Sequence, residues 1–145
     1  MAKQRFPALT SAEILAGLNE ALVAERQAVA DYDAHARAAE DLATREALEA
    51  LCSVEREHVQ RLTVRIAALR GTPSTAPAPA PGPARELAAM LRDDLEAEQW
   101  AITTYADLVA RIIDDVATAE LVAELLADEI KHAEWLKAAI RGLEA

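Results

Sequence analysis

Two short stretches of the chain, Glu55-Arg56-Glu57-His58 and Glu129-Ile130-Lys131-His132, place a carboxylate and an imidazole three residues apart. On a helix that spacing puts both side chains on one face, a single turn from each other. Two further acids, Glu25 and Glu98, each lie seven residues before a tyrosine, Tyr32 and Tyr105. Carboxylate and imidazole together suit iron, manganese or zinc; the lack of thiolates disfavours copper(I), and a poorly solvated site disfavours calcium. All six groups fall in phase with apolar residues at spacings of three and four, the stripe that a bundle helix turns inward. Ionised carboxylates gathered in such an interior repel one another and lose hydration. Two divalent cations cancel four negative charges, so the pattern points to a dinuclear metal site.

The elements that must position these groups are helices. Apolar residues make up 52% of the 145-residue chain, aromatics only 3%, and glycine occurs four times, a composition that favours an all-α fold in one domain, 1–145. The segment 71–84, GTPSTAPAPAPGPA, holds five of the six prolines and reads as an extended linker. It separates a helical hairpin over 11–70 from a second over 84–143, with helices expected near 11–39, 44–70, 84–112 and 116–143. Thr10-x-x-Glu13 offers a capping box at the first start, and Pro83 suits the first turn of the third helix.

The two hairpins are copies of each other. An offset of 73 pairs Leu18, Leu22, Glu25 and Tyr32 with Leu91, Leu95, Glu98 and Tyr105. An offset of 74 pairs Leu51, Glu55, His58, Leu62 and Ile66 with Leu125, Glu129, His132, Leu136 and Ile140. The inward stripes are expected at Leu15, Leu18, Leu22, Glu25, Val29, Tyr32, Ala36; Leu48, Leu51, Glu55, His58, Leu62, with Ile66 flanking and Leu69 closing; Leu91, Leu95, Glu98, Ile102, Tyr105, Val109, Ile112; and Val122, Leu125, Glu129, His132, Leu136, Ala139, Leu143. Glu25 and Glu55 are equidistant from the first turn, and Glu98 and Glu129 from the second, so four carboxylates and two imidazoles are expected at one height. At about 3.1 Å per residue the linker spans roughly 43 Å, enough to run the length of the second helix, roughly 40 Å, and bring in the third parallel to it.

A glutamate from each of two helices with Glu-x-x-His from the other two is the ligand set of carboxylate di-iron bundles. The chain resembles the ferritin-like superfamily through all four helices, most closely its bacterioferritin branch. The likeness is most specific in DEIKHAEWL, with Asp128, Glu129, His132 and Trp135, and in the paired Glu-x6-Tyr motifs. The resemblance implies an antiparallel four-helix bundle with one long proline-rich crossover between helices 2 and 3. It also implies a ferroxidase that oxidises ferrous iron with oxygen or peroxide, in iron storage or detoxification. Two iron ions, or manganese, would lie between terminal Glu25 and Glu98 and bridging Glu55 and Glu129, with His58 and His132 on one ion each. Tyr32 and Tyr105 would hydrogen-bond a ligand or give up an electron, and Asp128 would orient a metal-bound histidine.

This chain departs from that pattern in several places. The haem-ligating methionine of bacterioferritins follows the first motif glutamate, where Arg56 and Ile130 stand here, so no haem is expected. Val54 replaces the aspartate that should precede Glu55. Ala101 replaces the extra glutamate of rubrerythrins, and no rubredoxin-like cysteine set is present. The chain lacks the short fifth helix of large ferritins, which leaves a storage shell open, although a homo-oligomer is expected.

A net charge of −10 argues against nucleic acid or an anionic membrane as partner. Without an apolar leader at the start, a cytoplasmic location follows. His35, whose repeat counterpart is Leu108, is expected to be exposed or capping; Trp100 and Trp135 to pack or meet another subunit; and Cys52 to act as a small core hydrophobe. Other activities on the same ligands are an oxygenase and a manganese catalase-like enzyme. A metal-buffering bundle without turnover is the non-enzymatic alternative.

Overall fold

The computed structural model describes residues 7–145, so the reading of the N-terminal stretch lies partly outside the described residues. Four helices account for most of it: α1 (Ser11–Ala38), α2 (Leu42–Ala68), α3 (Leu87–Arg111) and α4 (Val116–Glu144). Three begin at side-chain caps. Thr10 and Glu13 form the reciprocal capping box, and Asp41 and Asp115 each accept a hydrogen bond from a first-turn amide, of Thr44 and Thr118. The start of α3 lies later than expected. Glu86 is its N-cap, without a side-chain cap bond, so Pro83 sits in the crossover rather than in a helical turn.

Side-chain partners fix the topology. Tyr32 meets Glu98 and His35 meets Asp94, so α1 runs antiparallel to α3. Arg65 meets Thr118 and His58 meets Asp128, so α2 runs antiparallel to α4. Since α1 also packs on α2 and α3 on α4, the diagonal pairs are α1/α4 and α2/α3, the latter parallel. The crossover from α2 to α3 therefore traverses the whole bundle. It is pinned along α1, where Asn19 donates to Thr72 O and accepts from Ser74 N, and Arg26 donates to Ser74 O.

α2 ends in a Schellman turn, Gly71 N–H to Ile66 O and Arg70 N–H to Ala67 O, with Arg70 in the left-handed region at φ 63°. A Cβ on Gly71 would lie 2.5 Å from Leu15 Cδ2, so a larger residue there would require the Leu15 side chain to shift.

The apolar interior is split in two. One cluster, around Leu18, Leu22, Leu62, Ile66, Leu108 and Leu125, fills one end of the bundle; the other, around Ala36, Leu48, Cys52, Leu91, Leu136 and Ile140, fills the other end. Between them lies a layer of buried polar side chains. The stripes differ from expectation by small rotations. Ile14 rather than Leu15 is buried; Met90, Asp94, Ala101 and Leu108 occupy the centre of α3 while Leu95, Ile102 and Val109 flank it; and Ile140 closes α4, leaving Leu143 exposed. A straight helix at 3.6 residues per turn drifts against any fixed spacing, so the buried edge shifts by one residue over several turns.

Candidate metal centre

The polar layer is made of Glu25, Glu55, His58, Glu98, Glu129 and His132, each at most 5% exposed. All four helices contribute, and all six sequence-selected residues converge at one height. They form two overlapping quartets, Glu25, Glu55, His58, Glu129 and Glu55, Glu98, Glu129, His132, with ligand atoms in each within 4.8 Å of one another. Glu55 and Glu129 belong to both quartets. Glu25 with His58, and Glu98 with His132, belong to one each.

The histidines aim the same nitrogen inward. His58 Nδ1 lies 3.2 Å from Glu25 Oε1 and 3.3 Å from Glu129 Oε1. His132 Nδ1 lies 3.1 Å from Glu55 Oε1 and 3.5 Å from Glu98 Oε1. The rings are nearly parallel, with centroids 6.4 Å apart.

The tyrosines cross the bundle. Tyr32 Oη donates to Glu98 Oε1 and Tyr105 Oη to Glu25 Oε1, both at 2.6 Å. Each hydroxyl thus serves a carboxylate of the opposite half, whose other oxygen has no hydrogen-bond partner. Burial, then the adjacent carboxylate charge, pushes both phenols well above their ordinary value, so they remain proton donors at neutral pH.

Electrostatics follow from crowding. Burial and then the charges of Glu25 and Glu129 push Glu55 well above the usual carboxylate range. Burial raises Glu129 to about 9, partly opposed by His58, whose Nδ1 lies 3.3 Å from it. Glu25 goes the other way: burial would raise it, but the close approach of His58, Glu55 and Tyr105 holds it below the ordinary value. His58 is pushed up to about 11, because the adjacent Glu129, Glu25 and Asp128 carboxylates outweigh the burial that opposes its charge. The metal-free layer therefore stores protons.

Even so, Glu25 Oε2, both oxygens of Glu55, Glu98 Oε2, Glu129 Oε1 and His132 Nδ1 are buried without a hydrogen-bond partner. Buried polar atoms left unmatched are costly and rare, and six of them facing one space call for cations. Donor type, number and orientation fit two divalent ions.

Asp128 reaches across the bundle, its Oδ2 2.9 Å from His58 Nε2. His35 is not exposed: its Nδ1 lies 2.6 Å from Asp94 Oδ2, the side chains being 12% and 4% exposed. This correction traces to Asp94, which sequence phase alone left among the surface acids and which the true phase of α3 turns inward. Burial raises Asp94, partly offset by His35. Its counterpart in the first half is Ala21 and that of His35 is Leu108, both buried, so a hydrogen-bonded polar pair in one half stands where an apolar pair stands in the other. Cys52 is buried and Trp135 packs on the second core cluster, whereas Trp100 is 41% exposed.

A cavity of about 230 Å³ leads to the layer between α1 and α3. Ala24, Ala28, Ala97 and Ala101 line its walls, Gln27, Asp31 and Trp100 its mouth, and Glu25, Glu55, Glu98 and Glu129 its floor. Among the described residues no helix is long and apolar enough to cross a membrane.

A family model described as a ferritin-like domain matches residues 15–145. No curated protein matches the chain significantly. Solved structures do. BfrA from M. tuberculosis is 22% identical with a TM-score of 0.82, over 90% of this chain and 84% of that one. A dodecameric thioferritin, the bacterioferritin-related protein from Bacteroides fragilis, is 22% identical with a TM-score of 0.83, over 94% and 89%. A ferritin-like, diiron-carboxylate protein from Bacillus anthracis is 26% identical with a TM-score of 0.79, over 90% and 96%.

Proposed function

Because the chain belongs to the ferritin-like domain family, we propose that it is a di-iron ferroxidase serving iron storage or detoxification. The observation that carries this reading is the set of six unpartnered buried polar atoms shared by two overlapping quartets. Glu55 and Glu129 would bridge two ferrous ions, with Glu25 and His58 completing one position and Glu98 and His132 the other. Iron supplies the electrons: two ferrous ions give up one each, to dioxygen, which with two protons leaves as hydrogen peroxide, or to peroxide, which with two protons leaves as two waters.

The chain does the rest. Ferrous ions would displace the protons held by Glu55, Glu129 and His58, and the two protons that the reduced oxidant takes up come from solvent. Tyr32 and Tyr105 fix one oxygen each of Glu98 and Glu25, so the other oxygen points at the cation. The apolar clusters on both sides keep bulk water from competing for the ligands. The alanine-lined cavity gives cations and oxidant a path, with Asp31 and Gln27 at its mouth.

An oxygenase is the second reading, favoured by the same apolar cavity. At about 230 Å³ it falls below the roughly 300–1,000 Å³ of typical organic-ligand sites, so it suits oxygen, peroxide and cations better. The dodecameric state of the Bacteroides fragilis relative and the half-exposed Trp100 support a homo-oligomer here too.

The test is aerobic titration with ferrous iron followed by ultraviolet absorbance and elemental analysis. Rapid oxidation saturating near two irons per chain is expected, and Glu129→Ala should abolish it. Tight binding without oxidation would leave only a metal-buffering bundle.

A further inference from the structure

The internal duplication allows each half of the centre to be compared with its own counterpart. Positions 54, 55 and 58 correspond to 128, 129 and 132 at the offset of 74. The ligands obey this symmetry, but the groups behind them do not. His58 turns Nδ1 to the carboxylates and is held from behind by Asp128, 2.9 Å from Nε2. The symmetry-related support for His132 would come from position 54, which is the half-buried Val54. No side chain among the described residues hydrogen-bonds His132; the edge of its ring faces Tyr32, with centroids 6.5 Å apart and planes at 84°. One imidazole is held from behind by a carboxylate, and no side chain hydrogen-bonds the other from behind.

We propose that the two cation positions are unequal by construction: Glu25/His58 is the tight one and Glu98/His132 the weak, exchangeable one, with Asp128 and Val54 setting the difference. The inference rests on the reading above only in requiring two divalent cations at these ligands. A carboxylate behind a ligating imidazole holds the proton on the outer nitrogen, aims the inner lone pair and raises its basicity, and losing such a partner costs about ten- to a hundredfold in affinity. Asp128 is thus a positioning residue rather than a ligand.

The experiment uses cobalt(II), which air does not oxidise at these ligands, titrated into the full chain and followed by calorimetry and visible absorption. Two steps separated by about tenfold or more are expected. Asp128→Ala should weaken the first step about ten- to a hundredfold and leave the second in place. Asp128 is 35% exposed, so this variant removes little packing, and circular dichroism checks its fold. Val54→Asp should tighten the second step toward the first. If that variant does not fold, the selectivity of Asp128→Ala for the first step decides alone. Two equal steps in the parent chain, or an Asp128→Ala effect shared by both steps, would overturn the inference while leaving the dinuclear reading intact. No binding of cobalt would overturn both.

Discussion

Replacing Glu129 with glutamine should stabilise the metal-free protein and destabilise the loaded one, and the size of the first effect follows from the site. Burial and the neighbouring acids raise Glu129 from an ordinary 4.5 to about 9. Between those values the folded chain holds a proton that the unfolded chain has released. Stability is therefore full below the unfolded value and falls as pH rises toward the folded one, by about 1.4 kcal/mol per pH unit. By about pH 7 the loss is roughly 3 kcal/mol. Glutamine has the same shape and no proton to lose, so metal-free Glu129→Gln should be more stable than the parent by roughly 3 kcal/mol near neutrality, about 6–12 °C in melting temperature for a chain of this size. The gain should shrink to near zero as pH approaches about 4.5. Manganese or ferrous iron should raise the melting temperature of the parent strongly, by binding the folded state alone, and that of the variant little. Thermal melts by far-ultraviolet circular dichroism, with and without metal across this pH range, measure all of it. A metal-free variant less stable than the parent at neutral pH, or a difference that does not change with pH, would refute the reasoning.

Loading the centre at neutral pH should release about two to three protons per chain, from Glu55, Glu129 and His58, all of which are raised; titrating manganese into unbuffered protein with a pH electrode measures this, and no release would contradict the stored protons. His35→Leu alone leaves Asp94 buried without its partner and should cost about 3–5 kcal/mol. The double variant His35→Leu/Asp94→Ala recreates the Leu108/Ala21 pair of the other half and should recover most of that loss in urea unfolding; simple additivity would show that the pair is not coupled. Ala28→Leu narrows the cavity between α1 and α3 and should slow ferrous oxidation several-fold without changing the number of irons bound at equilibrium; an unchanged rate would place the access route elsewhere.

The buried polar cluster was legible because its six side chains obey two rules at once, helical phase and internal repetition. Phase separates Glu25 and Glu98 from three other acids of the same helices, Glu20, Glu96 and Asp94; the first two are exposed, whereas Asp94 is buried. The crossover was readable from its prolines, since they forbid a continuous helix. What sequence left out was decided by contacts between distant segments. Asp94 reads as a surface acid until α3 is seen to turn one residue further than its apolar spacing suggests, and His35 is then inevitable as its partner. The reach of Asp128 to His58 rather than to the histidine of its own helix is a property of the α2/α4 pairing. The seating of the crossover on α1 depends on Asn19 and Arg26 meeting main-chain groups near residues 72–74, which no local pattern announces.

Anomalous diffraction from crystals soaked in manganese or ferrous iron tests the central claim most directly. Two peaks about 3.5–4 Å apart, each bounded by one histidine and sharing Glu55 and Glu129, are the predicted result. A polar layer without density, or ions held only at the acidic surface, would contradict it.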